Sequence, residues 1–419
     1  MQHSIEWLEG AENAAPEERA TVADLRLFLN DINVTQHFNQ GAPYDCVTVA
    51  LYSLAHGLAH DWWTIFGARD GDVSLTKFRS GYLLPDIRFR FDGAVFEIEA
   101  RQQMYKRPDV RFVAGPTEVM SRECGELLLT NLIETVLTRL GDKGVEGTSA
   151  HLRWQRVQAS RITEEALFCE AAGGLGLDPY HIEEDAAAFI EIAESLFEGE
   201  ALVDFVAGGA KNNYSRLVEW VRRMLADRSS QYRVPDLDGL VEETLQRTPS
   251  RSEDRAWVTG YRRARGVRHV LGLPQERKFS SFQDIAQLLG AGANFNLAPR
   301  VDGIRALRSS RTDGSQIHLR NHGDSAEAQA QHIFAMTRAL GDAACFPTTL
   351  LAPVNDLHNA YRQAAARAFA AEFLAPIDEI RSMLADRHDL ITIADAFAVS
   401  TSVIERQIEN ASRIDAACG

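Results

Sequence analysis

Two histidines four positions apart form the first candidate metal site in this sequence. His56 and His60 lie in a stretch from Tyr44 to about Phe66 whose apolar residues recur at helical spacing. Positions i and i+4 share one helix face, so both imidazoles would point the same way, as a zinc pair does. Gly57 stands where a metalloprotease would carry its general base, so a bound water would lack a proton acceptor. A structural role for both histidines and a zinc site remain the two alternatives.

A charged hairpin forms the second candidate site. Arginine and phenylalanine alternate between Leu84 and Arg101, around an Asp-Gly turn at residues 92–93. This pattern predicts two antiparallel strands joined by a tight turn. One face of the hairpin would then carry Asp86, Glu97 and Glu99.

These carboxylates give the hairpin a resemblance to the core of PD-(D/E)xK nucleases. Such enzymes place an Asp at the start of one strand and a Glu-x-Lys on its partner, where two carboxylates hold Mg²⁺ beside the scissile phosphate. Asp86 and Glu99 match that spacing, while Arg101 stands at the lysine position. In the alternative interpretation, the acids pair with Arg88 and Arg90 on a solvent-facing surface.

The stretch from Gln331 to Pro376 combines an apolar helix with a second helix that ends in the sequence FAAEFLAP. This layout resembles the ImmA/IrrE family of zinc endopeptidases. In that family a helix reading roughly F-x-L-A-H-E-L-G-H is followed by a helix ending F-A-A-E-L-L-M-P. Phe334 takes the aromatic place, and Leu340 and Gly341 fall on the family's L-G. The resemblance implies a zincin-like α+β domain at the C-terminus.

The residues that carry the family's chemistry are replaced in this sequence. Arg338, Ala339 and Asp342 stand where the family has its first His, its Glu and its second His, and Ala365 falls near the third ligand. Zinc needs imidazole or carboxylate donors, and a guanidinium cannot lose its proton to coordinate an ion. Glu372 matches an acidic position of the second motif but does not replace the missing set. We therefore expect no active peptidase and no cofactor, with magnesium or zinc as the alternatives named above.

Flanking segments extend the resemblance over about residues 256–412. A helix from Ala256 is similar to the W-x-x-G-Y-x-x-A-R helix that leads into ImmA/IrrE domains, and strands at 304–307 and 316–319 predict a small hairpin. The C-terminal helices have a helix–turn–helix-like pattern, and we expect them to pack against the domain. Arg262, Arg263 and Arg265 belong to the most basic part of the chain. They form either a solvated face or a docking surface for an acidic partner or a DNA backbone.

Bulk composition narrows the classes of function. The chain has 419 residues and a net charge of −15, so general affinity for nucleic acid or anionic membrane is not indicated. Five scattered cysteines argue against a disulfide framework and favour a reducing cytoplasm. We expect no signal peptide and no membrane span, because no apolar run reaches the required ~18 residues.

The predicted fold class is α+β, in four segments. Residues 1–150 are expected to form an N-terminal α/β domain, nuclease-like in one of the two interpretations of its hairpin, with a helix from Pro16 to about Asn30. Residues 151–228 read as a helical connector, residues 229–255 as a linker, and residues 256–419 as the ImmA/IrrE-like pseudo-peptidase domain.

Three functions follow from these patterns. The first is a cytoplasmic bacterial regulatory protein whose peptidase-like domain binds a protein partner. ImmA/IrrE relatives cleave repressors in stress response, mobile-element control or phage defence, and the resemblance implies that setting without the cleavage. The second is a Mg²⁺-dependent nuclease, and the third is a zinc endopeptidase that cleaves a repressor. Nucleic acid stays open as a further partner, and no membrane is expected.

Overall fold

A computed structural model describes residues 1–102, 110–112, 115–249, 255–311 and 314–418, with side chains through residue 411. Within these residues the fold is α+β, with helices covering about half of the chain and four antiparallel sheets. The chain divides into two compact units, Met1–Ile190 and Glu191–Gly419.

The first unit contains three small sheets, and every pairing in them is antiparallel. One sheet pairs the first, second, third and sixth strands, another the fourth, fifth and tenth, and the last has the order 11-9-8-7. The strands are β1 (Gln2–Trp7), β2 (Val22–Leu29), β3 (Ile32–Asn33), β4 (His37–Asn39), β5 (Ala42–Tyr44), β6 (Val47–Ala50), β7 (Val73–Ser74), β8 (Asp86–Phe91), β9 (Val95–Arg101), β10 (Val110–Phe112) and β11 (Thr117–Ser121).

Five of the seven helices described for this unit, those between Leu51 and Gly174, share one apolar core with its sheets. Trp62, Phe66 and Phe96 are at the centre of that core, fully buried. The rings of Phe66 and Phe96 stack at 5.4 Å. The helices are α1 (Pro16–Ala20), α2 (Leu51–His60), α3 (Trp62–Gly67), α4 (Arg122–Asp142), α5 (Ser149–Arg161), α6 (Glu165–Gly174) and α7 (Glu184–Glu194).

The helix predicted from Pro16 to Asn30 is wrong beyond its first turn. Only α1 is helical, and β2 follows it directly. Buried side chains recur at every second residue of β2, which is the period of a strand with one covered face. Val22, Leu25 and Leu29 also fit a helical period, but the alternation of buried side chains along β2 is stricter.

The long helix predicted from Tyr44 to Phe66 is also wrong in part. Its first residues form β5 and β6, and the remainder is divided into α2 and α3 at Asp61. Val47 and Val49 are β-branched, which favours a strand, and β6 pairs with β2. The predicted hairpin between residues 86 and 101 is confirmed, because β8 and β9 pair along their full length.

The second unit is built around a three-stranded sheet of order 13-12-14. The hairpin predicted before the apolar helix is confirmed by pairing between residues 306–309 and 316–319. Asp313 of its turn lies outside the described residues. All three strands are buried on both faces, because helices and connecting segments cover the sheet. The strands are β12 (Ala306–Ser309), β13 (Gln316–Leu319) and β14 (Leu351–Val354).

Ten helices of the second unit surround this sheet within the described residues. Three of them, Ala256–Val270, Ala326–Cys345 and Tyr361–Leu374, pack closely against one another. Gly260 allows one close approach, because a Cβ there would lie 2.4 Å from the carbonyl oxygen of Ala365. The helices are α8 (Gly199–Ala207), α9 (Tyr214–Ala226), α10 (Leu237–Arg247), α11 (Ala256–Val270), α12 (Phe282–Leu288), α13 (Ala326–Cys345), α14 (Tyr361–Leu374), α15 (Ile377–Ala385), α16 (Leu390–Phe397) and α17 (Thr401–Cys418).

The segment predicted as a linker, residues 229–255, contains helix α10. Leu237 and Val241 of α10 are buried in the core of the second unit. Residues 250–254 of that segment lie outside the described residues. The C-terminal helix α17 packs against the domain, since Asn410 donates a hydrogen bond of 3.1 Å to the hydroxyl of Tyr261.

Candidate functional site

Helices α13 and α14 position the side chains that stand at the family's zinc-ligand places. Ser325 caps α13, because its hydroxyl accepts a 3.1 Å hydrogen bond from the backbone N–H of Ala328. Gly341 lies against Phe369 of α14, where a Cβ would meet the ring at 2.7 Å. The glycine shared with the family motif therefore serves close helix packing.

Asp342 is held between two arginines in the interior. Arg308 of β12 donates to its Oδ2 from Nε at 2.9 Å and from Nη2 at 2.8 Å. Arg362 of α14 donates from Nη2 to Oδ1 at 2.6 Å. None of the three side chains is more than 7% exposed. Both carboxylate oxygens are thus occupied by charge-assisted hydrogen bonds.

Arg338 lies one helical turn before Asp342 and is 4% exposed. Its Nη2 donates to the carbonyl of Asn355 at 2.5 Å and to Oε1 of Gln363 at 2.9 Å. Its Nε is buried with no hydrogen-bond partner among the described residues. The nearest carboxylate is Asp356, at 3.9 Å. Burial, reinforced by repulsion from neighbouring arginines, lowers the pKa of Arg338 to about 9, so the side chain is still a cation at neutral pH.

Gln363 and Asp204 complete this buried network. The Gln363 side-chain amide donates to Oδ2 of Asp204 at 3.0 Å and to the carbonyl of Pro353 at 2.8 Å. Asn355 donates to the carbonyl of Asp204 at 2.7 Å. Sequence reasoning missed these residues, although Asp204 is the one carboxylate near the middle of the apolar helix α8 and could have been noticed.

The remaining positions of the replaced motif are also filled. Ala339 and Ala365 are fully buried and present only methyl groups. Glu372 is 2% exposed, and its oxygens accept from Arg265 at 2.7 Å, from the backbone of Ile377 at 3.2 Å and from Gln407 at 3.1 Å. The glutamate joins α14 to α11 and α17.

These residues do not fit a zinc ion. Zinc would need three or four free nitrogen, sulfur or carboxylate donors around one point. Here the two carboxylates, Asp342 and Glu372, are each engaged on both oxygens, and the cation Arg338 lies beside the first. A divalent ion would have to break buried ion pairs and then sit among guanidinium groups, which Coulomb repulsion opposes.

The three arginines predicted as a partner surface are used in different ways. Arg263 is 1% exposed and donates to the backbone carbonyl and the hydroxyl of Thr248. Arg265 is 53% exposed but is paired with Glu372. Arg262 is half-buried beside them on α11. This helix therefore directs only part of its positive charge to the surface.

His56 and His60 do share a face of α2, with ring centroids 6.3 Å apart. His60 is half exposed and contacts Asp61 at 3.0 Å, while His56 stacks on Tyr52. Burial, His60 and Arg153 lower the pKa of His56. A Cβ at Gly57 would lie 2.1 Å from Phe78, so glycine at this position is explained by packing.

The hairpin face brings Asp86, Glu97 and Glu99 together and places arginines among them. The register sets Asp86 opposite Arg101, Arg88 opposite Glu99 and Arg90 opposite Glu97. Glu97 accepts from Arg90 at 2.6 Å, and Glu99 pairs with Arg101 at 2.7 Å. Asp86 accepts from Ser74 at 2.7 Å and pairs with Arg88 at 3.1 Å. Each carboxylate of the nuclease-like set is thus paired with an arginine.

No helix among the described residues combines the length and apolar character needed to cross a membrane. Those residues also contain no group of three or more His, Cys, Asp or Glu side chains arranged to hold a metal ion. Comparison with protein-family models, with curated proteins and with solved structures gives no match to this chain.

Proposed function

We propose that this chain is a non-catalytic regulatory protein of the bacterial cytoplasm that binds a protein partner. The observation that carries the proposal is the state of Asp342, whose two oxygens are held by Arg308 and Arg362 at 2.6–2.9 Å. A carboxylate fixed in this way contributes to packing and cannot also coordinate zinc or accept a proton from water.

The setting follows from the resemblance to ImmA/IrrE proteins. Its members act in stress response, mobile-element control or phage defence, and we place this chain in that setting. A peptidase-like shell that no longer cleaves could still recognise the segment that an active relative would cut. Binding without cleavage would then sequester or reposition a partner.

The experiment expresses a tagged form of the chain in the bacterium that naturally produces it and purifies the tagged chain together with any bound partner. We expect an intact partner in a stoichiometric complex, and we expect purified chain with added zinc to leave casein uncut. Recovery of the partner as fragments that disappear with the Asp342→Asn variant would contradict the proposal.

A Mg²⁺-dependent nuclease is the second candidate, because Asp86, Glu97 and Glu99 do share one accessible face. The arginine pairs on that face must open before an ion could bind. Mg²⁺-dependent nicking of supercoiled plasmid that is lost in Asp86→Ala would favour the nuclease. Stoichiometric zinc that is lost in His56→Ala would favour the zinc peptidase instead.

A further inference from the structure

Two arginines of the second unit lie against one carboxylate near the surface, and a histidine links a third arginine to them. Arg305 binds Asp356 with Nε at 2.8 and 3.0 Å and with Nη2 at 2.7 Å. Arg338 lies beneath, 3.9 Å from the same carboxylate. Arg320 joins through His322, whose Nδ1 accepts from Arg305 at 3.0 Å and from Arg320 at 3.2 Å. We call Arg305, Arg320, Arg338 and Asp356 the arginine cluster.

Positive charge exceeds negative charge in this cluster. Asp356 neutralises Arg305, while, within the described part of the chain, Arg320 pairs only with Asp302 at 3.9 Å and Arg338 has no carboxylate within hydrogen-bond distance. Arg320 otherwise donates to the carbonyl of Val301 at 2.7 Å. A guanidinium that is removed from water without a counterion is costly, so a second carboxylate would be bound favourably.

His322 does not change this balance. Burial, together with Arg320 and Arg305, lowers its pKa to about 3, so the ring is neutral. Because Nδ1 accepts from two guanidinium groups, the ring proton is on Nε2, which is buried with no partner among the described residues. Nδ1 of His332, 0% exposed, is likewise unpartnered, and its ring centroid is 5.2 Å away.

The cluster is accessible from one side. The side chain of Asp356 is 62% exposed and that of Arg305 is 29% exposed, whereas Arg338 and Arg320 are at most 10% exposed. The exposed carboxylate of Asp356 therefore lies between the solvent and the buried guanidinium groups of Arg338 and Arg320. An external carboxylate could replace it on Arg305 without opening the core.

We propose that the arginine cluster binds an acidic side chain of a protein partner, which takes the place of Asp356 on Arg305 and reaches Arg338. This inference rests on the proposed partner-binding function and names the chemistry of the partner segment. A carboxylate is favoured because the site already holds one in two-pronged geometry, to which the planar guanidinium is matched. A long nucleic-acid polyanion is disfavoured, because the chain carries a net charge of −15.

The test measures fluorescence anisotropy of a rhodamine-labelled hexaglutamate peptide, with hexaglutamine as the uncharged control. We expect hexaglutamate alone to bind, with an affinity that falls as salt is raised. Arg305→Gln should weaken binding about tenfold, the effect of losing one hydrogen-bonded charge pair. Arg406→Gln makes the same charge change at a 69% exposed site that pairs only locally, and it should change the affinity less than about twofold.

Asp356→Asn is a control for misfolding, because a misfolded variant would bind the peptide more weakly, whereas this variant is expected to bind it more tightly. Removal of the competing carboxylate should strengthen hexaglutamate binding about fivefold. Weaker or unchanged binding in that variant, or no binding of hexaglutamate to the wild type, would overturn the inference. Displacement of the labelled peptide by inorganic phosphate at the same concentration as unlabelled hexaglutamate would also overturn the inference, because the site would then recognise free anions. These outcomes are independent of whether a partner is cleaved, so they leave the proposed function to its own test.

Discussion

Both units contain a buried carboxylate between two arginines, and the contrast between the two triads is informative. In the first unit Glu170 pairs with Arg69 at 3.1 Å and with Arg122 at 2.8 Å. In the second unit Asp342 pairs with Arg308 and Arg362 at similar distances. A triad of this kind therefore needs no functional explanation by itself.

The difference is in the surroundings of each triad. Arg122 is 31% exposed and also pairs with Glu126, so water reaches the first triad. The second triad is closed, and beside it lies Arg338, a further cation whose closest ion-pair partner among the described residues is Asp356 at 3.9 Å. The proposed partner binding therefore depends on this surplus cation, while the triad stabilises the fold.

The largest expected effect comes from breaking the closed triad. Asp342→Asn leaves two buried guanidinium groups without their counterion, so we expect a loss of about 3–5 kcal/mol in the free energy of unfolding. The matched change Glu170→Gln should cost roughly half as much, because water can reach Arg122. Urea denaturation of both variants measures the difference. A larger loss for Glu170→Gln would reverse the contrast between the triads.

The second prediction concerns pH and a buried histidine of the same unit. His318 is 0% exposed and packs against Tyr232 with the rings tilted at 49°, and burial lowers its pKa to about 4 from an ordinary value of 6.5. Between these values the unfolded state binds more protons than the folded state, so stability falls as the pH drops from 6.5 to 4. We expect this residue to contribute a slope of at most about 1.4 kcal/mol per pH unit.

His318→Phe keeps an aromatic ring against Tyr232 and removes the titration. Denaturant midpoints measured across this pH window should therefore vary less steeply in the variant than in the wild type. A slope equal to that of the wild type would show that other groups, such as His322, account for the whole acid sensitivity.

The third prediction separates the surplus cation from the triad. Arg338→Met removes an uncompensated buried charge but leaves the carbonyl of Asn355 without its donor, while Oε1 of Gln363 keeps the backbone N–H of Asn355, so we expect stability within about 1 kcal/mol of the wild type. The same variant should lose hexaglutamate binding. A loss of stability as large as that of Asp342→Asn would make Arg338 a structural residue and weaken the binding proposal.

The smallest effect is expected on the hairpin face of the first unit. Glu97 and Arg90 are 25% and 40% exposed, so their ion pair is largely screened by water. Glu97→Gln should change the free energy of unfolding by less than about 1 kcal/mol. Thermal melts of this variant beside Asp342→Asn give the comparison between an exposed and a buried pair. A loss above 2 kcal/mol would indicate that the hairpin face is more than a solvated surface.

Sequence patterns predicted the elements whose side chains alternate or recur regularly over many residues. The β8–β9 hairpin and helices α13 and α14 are of this kind. The sequence patterns gave wrong predictions near Val22 and Val47. There, short strands adjoin helices, and apolar residues are frequent enough to fit either the helical or the strand period.

The candidate site was predictable in its motif positions but not in its partners. Arg338 and Asp342 could be singled out because they fall on ligand positions of the ImmA/IrrE motif that the sequence resembles. Their contacts with Arg308, Asn355 and Asp356 join residues 17–34 positions apart, and tertiary packing decides such pairs. Local sequence carries no record of which arginine reaches which carboxylate.

The central claim is that the positions that match the zinc-binding motif of ImmA/IrrE peptidases in the proposed resemblance hold a hydrogen-bonded ion-pair network that does not fit a zinc ion. The most direct measurement is the zinc content of purified chain after incubation with zinc and gel filtration, determined by plasma mass spectrometry. We predict no stoichiometric zinc in either the wild type or Asp342→Asn. About one zinc per chain in the wild type that is lost in Asp342→Asn would contradict the account.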